Sequence, residues 1–394
     1  MEHDLYICTG KYHLFCVLLL KMIDNVHRAG DLLICDCFEG AQSIYESLAA
    51  YCKTEKKIFD NLVFLPKSQY DELDPTVSMA YSKRIMRVIH NKISRPINRI
   101  DKYINNRYNR IYIAGAVPSL IEYCLYSHYK YNSEINLFDD GLGSRIQWKG
   151  PSLRRKLTDY YRLSEFWNSL NHKFFFSPEL VCNTFPFIPI VEQCKPIENE
   201  ICKRGLSWSS VLHTLNNVYE YSADNDPFQK NNVIYFSAGF DLYNWLKKYS
   251  KTECELVNYI GKQYNRFIVK RHPNSNETYD PQIQSTNVSF IPEIFFLNAD
   301  IENKLLISSG SATVFNPAFI FNKNPFVILT YKLFGENEDL QKDLFRCSGS
   351  ELENKINKTL ISGYRDKSKI YIPRTLHELD EAIKDYLLRT DNNK

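Results

Sequence analysis

The sequence predicts an α/β protein made of two Rossmann-like parallel-sheet domains that face a central cleft. Three observations lead there. Short apolar runs alternate with stretches of helical periodicity from Leu5 onward, the rhythm of consecutive β-α-β units. That rhythm lapses in mid-chain and restarts at Asn232. At 394 residues the chain is also longer than one core usually fills, since a domain takes about 100–200 residues.

Leu5-Tyr6-Ile7-Cys8 reads as the first strand, a helix begins near Tyr12, and Leu32 to Phe38 reads as the second strand. A helix over Ser43 to Cys52 leads to the strand Leu62-Val63-Phe64-Leu65. The pattern resumes with Arg110-Ile111-Tyr112-Ile113-Ala114 and a helix after Pro118. Glu134-Ile135-Asn136-Leu137-Phe138 then runs into Asp139-Asp140-Gly141, and residues 1–150 are assigned to the first domain. Within it, a connection over about 76–109 interleaves Lys83, Arg84, Arg87, Lys92, Arg95 and Arg99 with isoleucines every few residues. This is a basic amphipathic helix pair broken at Pro96, suited to an anionic membrane surface, although an ordinary surface helix has the same pattern.

Residues 151–228 read as an inserted helical and aromatic segment and linker, with a basic helix near Leu153 to Leu163 and a Phe/Pro-rich stretch from Phe174 to Ile190. The second domain, 229–394, opens with the strand Asn232-Val233-Ile234-Tyr235-Phe236 and a helix over roughly Leu242 to Tyr264. The strand Arg266-Phe267-Ile268-Val269-Lys270 comes next, just before Arg271-His272-Pro273. Lys304-Leu305-Leu306-Ile307, a serine-rich turn and Phe326-Val327-Ile328-Leu329 follow. A terminal helix opens on a capping box, Thr375 to Glu378, and carries Leu379, Ile383 and Leu387 on one face.

Composition narrows the classes of function. With 27 Tyr and 24 Phe the chain is not a disordered one, and a net charge of +3 excludes a chain-wide nucleic-acid binder. Eleven cysteines, odd in number and singly placed, read as reduced and mostly buried thiols rather than a disulfide framework. Cys35 and Cys37 alternate along a strand with no second pair at zinc spacing, so they read as structural. The start Met1-Glu2-His3-Asp4 lacks a basic signal region, and Phe15 to Met22 falls short of the ~20 apolar residues a membrane span needs. The expected location is the cytoplasm.

Candidate chemistry sits at strand ends. His272 follows an apolar strand and precedes Pro273, which holds it extended at the carboxyl edge, where an imidazole can give a proton to a departing phosphate. A strand-end histidine bonded to a loop explains the same tetrapeptide. Asp139 and Asp140, before Gly141, can accept a proton or bind hydroxyls, or can simply form an Asx turn. A divalent metal there is disfavoured, because no third carboxylate or histidine lies close in sequence. Ser308, Ser309, Gly310 and Ser311 end a strand ahead of an expected helix at Val314, a place where hydroxyls and backbone N–H groups can hold one phosphate or merely cap the helix. Asp241, after Gly239, reads as a helix cap. Lys270 and Arg271 add positive field, one of them turned away by strand alternation.

Taken in order, these blocks resemble the bacterial lipooligosaccharide sialyltransferases, glycosyltransferase family 52. The resemblance rests on Arg110 to Ala114, Leu137 to Ser144, Ile234 through Asp241 to His272-Pro273, and Ile307 to Ala312. It implies a GT-B fold and inverting, metal-independent transfer of sialic acid from CMP-sialic acid to a galactose-terminated, possibly lipid-linked acceptor. It further implies His272 as general acid and Asp241 as base, with Asp139 and Asp140 as rivals for the latter role. Gly141, Gly239, Lys270, Arg271, Pro273 and the serine turn would then surround the donor nucleotide. A peripheral dimer at the inner face of the cytoplasmic membrane is the expected assembly. The alternatives are a GT-B enzyme using an activated hexose or Kdo, and a non-catalytic nucleotide-sugar or polyanion-binding protein.

Overall fold

The computed structural model describes residues 3–23, 28–67, 107–114, 133–138, 207–242, 246–272, 275–286, 288, 290–334, 361 and 364–391, together with the backbone of 181–185. The chain forms two compact units, Met1–Phe187 and Ile188–Lys394.

The first unit is a six-stranded sheet with β1 (His3–Cys8), β2 (Ala29–Cys35), β3 (Asn61–Leu65), β4 (Arg110–Ile113), β5 (Glu134–Phe138) and β6 (Val181–Phe185). Every pairing is parallel and the order is β3-β2-β1-β4-β5-β6. A parallel strand needs helices on both faces, so its sequence is apolar throughout rather than alternating. Leu5 to Cys8 and Leu32 to Cys35 are buried in this way. Helix α1 (Lys11–Ile23) buries every residue from Leu14 to Lys21, and α2 (Ala41–Thr54) buries a single stripe, Ala41, Ile44, Leu48 and Tyr51.

This unit extends beyond residue 150, because β6 adds to the sheet edge beside β5. The expected insertion and linker over 151–228 is therefore divided between the two units. Helix α3 (Trp208–Val218) belongs to the second, where Asn216 and Asn298 exchange side-chain hydrogen bonds of 2.8 Å. Asn298 ends helix α5 (Pro292–Asn298).

The second sheet contains β7 (Val233–Phe236), β8 (Phe267–Lys270), β9 (Ser285–Thr286), β10 (Leu305–Ser308), β11 (Phe326–Leu329) and β12 (Ile370–Tyr371). Its order, β12-β11-β10-β7-β8-β9, is the same doubly wound arrangement with its reversal between β7 and β10. Phe236 lies level with both Lys270 and Ser308, and Ser308 with Leu329, so four strands end on one line. Helices α4 (Lys247–Gln263) and α7 (Leu376–Asp391) cover one face, where Val257, Ile260, Leu379, Ile383 and Tyr386 pack against Val233, Tyr235, Leu305 and Ile307.

Two details differ from the sequence expectation. The α7 core face turns through Ala382 and Tyr386, which leaves Leu387 exposed. In the capping box, Thr375 Oγ1 accepts from the Glu378 N–H at 3.1 Å as expected, but the Glu378 carboxylate accepts from the Arg374 N–H. Among the described residues, no helix is long and apolar enough to cross a membrane.

Candidate functional site

In a doubly wound sheet, ligands bind beyond the carboxyl ends of the strands at the point where strand order reverses. In the second unit that point lies between β7 and β10, and the segments leaving β7, β8 and β10 carry most of the expected residues.

From β7 the chain passes through Ser237-Ala238-Gly239 into a single 3-10 turn, Phe240–Leu242. Gly239 has φ +65°, and a Cβ there would lie 2.8 Å from His272 Cγ and 2.9 Å from its Cβ. Only glycine meets both demands, a left-handed backbone and direct contact with the His272 side chain. The β7 turn thus forms the floor on which His272 rests.

His272 itself is held by its own loop. The Arg271 N–H still donates to Thr286 O at 3.1 Å, in continuation of the β8–β9 pairing, and His272 O then accepts from the Ser275 N–H at 3.0 Å. Arg271 Nη2 donates to Ser275 O at 3.0 Å. Asp241 closes the arrangement from the β7 side: its Oδ1 accepts from Ser275 Oγ and its Oδ2 from the Asn276 N–H, both at 2.7 Å. Asp241 therefore caps the turn after His272 rather than the following helix, because that helix, α4, begins only at Lys247. Lys270 is buried, with Nζ donating to Arg271 O at 2.8 Å. Alternation thus turns Lys270 inward, while the Arg271 guanidinium braces the His272 turn.

Burial lowers the His272 pKa, the nearby Lys270 charge lowers it further, and Asp241 opposes both. The ring accordingly favours its neutral form near pH 7. A phosphate brought against it would restore the proton, because an adjacent anion stabilises imidazolium.

The serine turn differs from expectation. Ser308 is fully buried; its Oγ donates to Phe236 O and accepts from the N–H groups of Gly310 and Ser311, at 2.9, 3.3 and 2.9 Å. Ser309 is also buried and bonds Tyr235 OH at 2.6 Å and Thr330 Oγ1 at 2.9 Å. These two serines tie strand ends together inside the core instead of presenting hydroxyls to a ligand. The expected helix is a 3-10 turn, Ala312–Phe315, followed by the six-residue α6 (Asn316–Phe321), and it starts on Ser311 Oγ accepting from the Thr313 N–H. Gly310 and Ser311 alone of the four reach the surface.

Beneath this edge lies a buried polar cluster that the sequence patterns did not single out. Glu253, on α4, is fully buried, and its Oε1 accepts from Tyr235 OH at 3.0 Å and from the Ala238 N–H at 3.2 Å. Ser237 Oγ lies 3.5 Å from Glu253 Oε2 and 3.0 Å from Glu277 Oε2, and it accepts from the Gly239 N–H at 3.2 Å. Burial and the neighbouring Glu277 raise the Glu253 pKa to about 8. The only sequence signal was a glutamate on the apolar side of a helix, four residues from Val257.

The carboxyl edge of the first sheet is described in part. The Thr9 hydroxyl and His13 Nδ1 lie 3.0 Å apart beyond β1, and the His13 ring meets Phe138 edge-on at 5.7 Å. Asp139, Asp140 and Gly141, which follow Phe138, lie outside the described residues, as do Pro273, the basic stretch 68–106 and the aromatic stretch 174–190 apart from the β6 backbone. Cys35 is buried in β2, but that strand stops there, and Cys37 lies beyond it, exposed rather than alternating along the strand, with its thiol donating to Thr9 O at 3.2 Å. No group of three or more His, Cys, Asp or Glu side chains suited to a metal occurs among the described residues.

No protein-family model matches the sequence, and no curated protein matches it significantly. Solved structures similar to it include the glycotransferase of kitacinnamycin, at 11% identity and a TM-score of 0.44 over 98% of this chain and 89% of that one. The S. aureus MnaA–UDP structure is 10% identical with a TM-score of 0.43, over 98% and 97% of the two chains. The spinosyn rhamnosyltransferase SpnG with thymidine diphosphate is 9% identical with a TM-score of 0.42, over 97% and 100%.

Proposed function

We propose that the chain is a GT-B glycosyltransferase that binds an activated sugar by its phosphate at the carboxyl edge of the second sheet, with His272 returning a proton to the departing nucleotide. The observation that carries this reading is the seat of His272: two residues beyond β8's last pairing, beside the strand reversal, its ring packed on Gly239 and its loop fixed by Asp241 and Arg271. A histidine that served only to hold a loop would not require a glycine pressed against its side chain. Gly310, Ser311 and the Gly239 turn are the backbone that a phosphate could approach.

The lowered His272 pKa fits a residue that becomes an acid only when its substrate is present. Neutral in the free protein, the ring gains a proton beside the donor phosphate and passes it to the leaving oxygen as the sugar–oxygen bond breaks. The acceptor hydroxyl loses its proton to a carboxylate. Asp241 is the candidate in this unit, with one lone pair of each oxygen taken by the His272 turn, and Asp139 and Asp140 remain its rivals.

For the donor we favour CMP-sialic acid, on the strength of the sequence blocks that resemble family 52. A UDP-hexose or CMP-Kdo enzyme is the alternative, since the groups at this edge suit a nucleotide phosphate and do not distinguish one sugar from another. Incubating the protein with CMP-sialic acid and lactose tests the choice, with CMP release and a sialylated product expected. Turnover of another nucleotide sugar in its place would overturn the donor assignment and leave the transferase reading standing. Tight nucleotide binding without turnover of any of these donors would favour the non-catalytic reading.

A further inference from the structure

Glu253 and Glu277 are buried acidic groups beside the His272 edge that the proposed chemistry does not use. Their hydrogen bonds can be followed donor by donor. Tyr235 OH and the Ala238 N–H both donate to Glu253 Oε1, so the other oxygen, Oε2, is the one placed to carry a proton. It faces Ser237 Oγ at 3.5 Å. Ser237 Oγ has one hydrogen, and Glu277 Oε2 at 3.0 Å is its short-range acceptor. Glu277 also accepts from Ser250 Oγ at 2.7 Å and from Tyr279 OH at 3.3 Å, a set of three donors that suits an ionised carboxylate. Ser237 Oγ then receives the Glu253 proton on one side and the Gly239 N–H on the other.

We propose that Glu253 and Glu277 form a carboxyl pair holding one proton, relayed through Ser237, and that this pair positions Gly239 beneath His272. Glu253 is a positioning residue and touches no substrate. Two ionised carboxylates this close, both at or below 5% exposure, would repel in a medium that screens poorly, so one of them retains its proton. Among the described residues, the groups that face the pair do not supply a compensating cation: Tyr235 comes from β7, Tyr279 from the loop after β8, and Cys254 from α4 itself. Asp241, Lys270 and the neutral His272 ring lie along the same edge, with the Lys270 ammonium directed to Arg271 O. The proton sharing stands on geometry alone, while its effect on catalysis rests on the transferase reading above.

The sign of the pH effect follows. Folding raises the Glu253 pKa from near 4.5 to about 8. Its contribution to stability is thus fully present below pH ~4.5 and is lost by about pH 8, with the unfolding constant rising toward tenfold per pH unit inside that window. Glu253→Gln keeps one acceptor and one donor in place of the protonated carboxyl and removes the titration.

Urea unfolding of the full chain and of the Glu253→Gln variant is the test, run from pH 5 to pH 8. The ratio of wild-type to variant unfolding constants is expected to climb by at least tenfold across that range. A ratio that stays flat overturns the proposal. Infrared titration of the wild-type protein is an independent readout that needs no variant: a protonated-carboxyl band persisting at pH 7 and falling to about half near pH 8 supports the pair, and its absence at pH 7 overturns it. If the pair holds but no donor is turned over, the transferase reading fails alone. If transfer occurs, Glu253→Gln retains it and extends it to higher pH, whereas Glu253→Ala loses it.

Discussion

The two ends of the second sheet are built from the same residue types and use them in opposite ways. At the amino end three lysines are committed to backbone carbonyls. Lys304 Nζ donates to Phe228 O, Gln229 O and Asn231 O at 3.0, 3.2 and 2.7 Å. Lys323 donates to Phe296 O and Ala299 O, and Lys369 to Glu302 O and Asn324 O. Here charge staples the loops that feed the strands. At the carboxyl end Lys270, Arg271 and Asp241 fix the loop that carries one imidazole, a left-handed glycine is pressed against that side chain, and two buried carboxyl groups lie beneath. Charges spent only on holding loops contribute stability, whereas charges that fix the seat of a titratable side chain beside a strand reversal are the arrangement a ligand site needs.

That contrast can be broken by substitution. The largest effect is expected from His272→Ala, which should lower transfer by ~10²–10⁴-fold while nucleotide affinity stays within a few-fold, as measured by steady-state kinetics and calorimetry. Unchanged turnover would remove His272 from the chemistry. Lys304→Met, at the other end, leaves three carbonyls without their donor and should cost about 3 kcal/mol in urea unfolding, with nucleotide affinity intact. A loss of affinity greater than the loss of stability would contradict the division of labour.

Gly239→Ala should be smaller in stability, about 1–2 kcal/mol for the left-handed backbone, yet should reduce transfer disproportionately, because the added methyl displaces His272. Asp241→Asn sharpens the picture further. An amide oxygen can still accept one of the two hydrogen bonds from the His272 turn, so a positioning role predicts a loss of tenfold or less, whereas a base predicts a loss near that of His272→Ala. The smallest effect, within about 0.5 kcal/mol, is expected of Leu387→Lys on the exposed side of α7.

Much of the fold was legible in the sequence because buried parallel strands are written as continuous apolar runs. Val233 to Phe236 and Leu305 to Ile307 could hardly be read otherwise. The two-residue strands β9 and β12 carry no such run and exist only through pairing with β8 and β11. For the same reason the boundary between the units was misplaced: β6 is Val-Cys-Asn-Thr-Phe, whose partner β5 is more than forty residues earlier in the chain.

The site was legible residue by residue but not in its directions. His272 and Gly239 stand out as a histidine and a glycine just past apolar strands, yet their contact joins segments that sequence spacing cannot relate. Ser308 and Ser309 have the residue types of a phosphate turn, and it is the side-chain direction at the end of β10 that commits them to the core. Glu253 gave the weakest signal of all, because a buried acid looks like a surface one until its burial is known.

If the His272 edge receives a nucleotide phosphate, the titration of His272 itself will register it. The proton resonances of the nine histidines can be followed against pH with and without CMP, His272 being assigned by its loss in His272→Gln. The His272 pKa is expected below the ordinary value in the free protein and above it with CMP bound. A His272 titration that CMP leaves unmoved would contradict it.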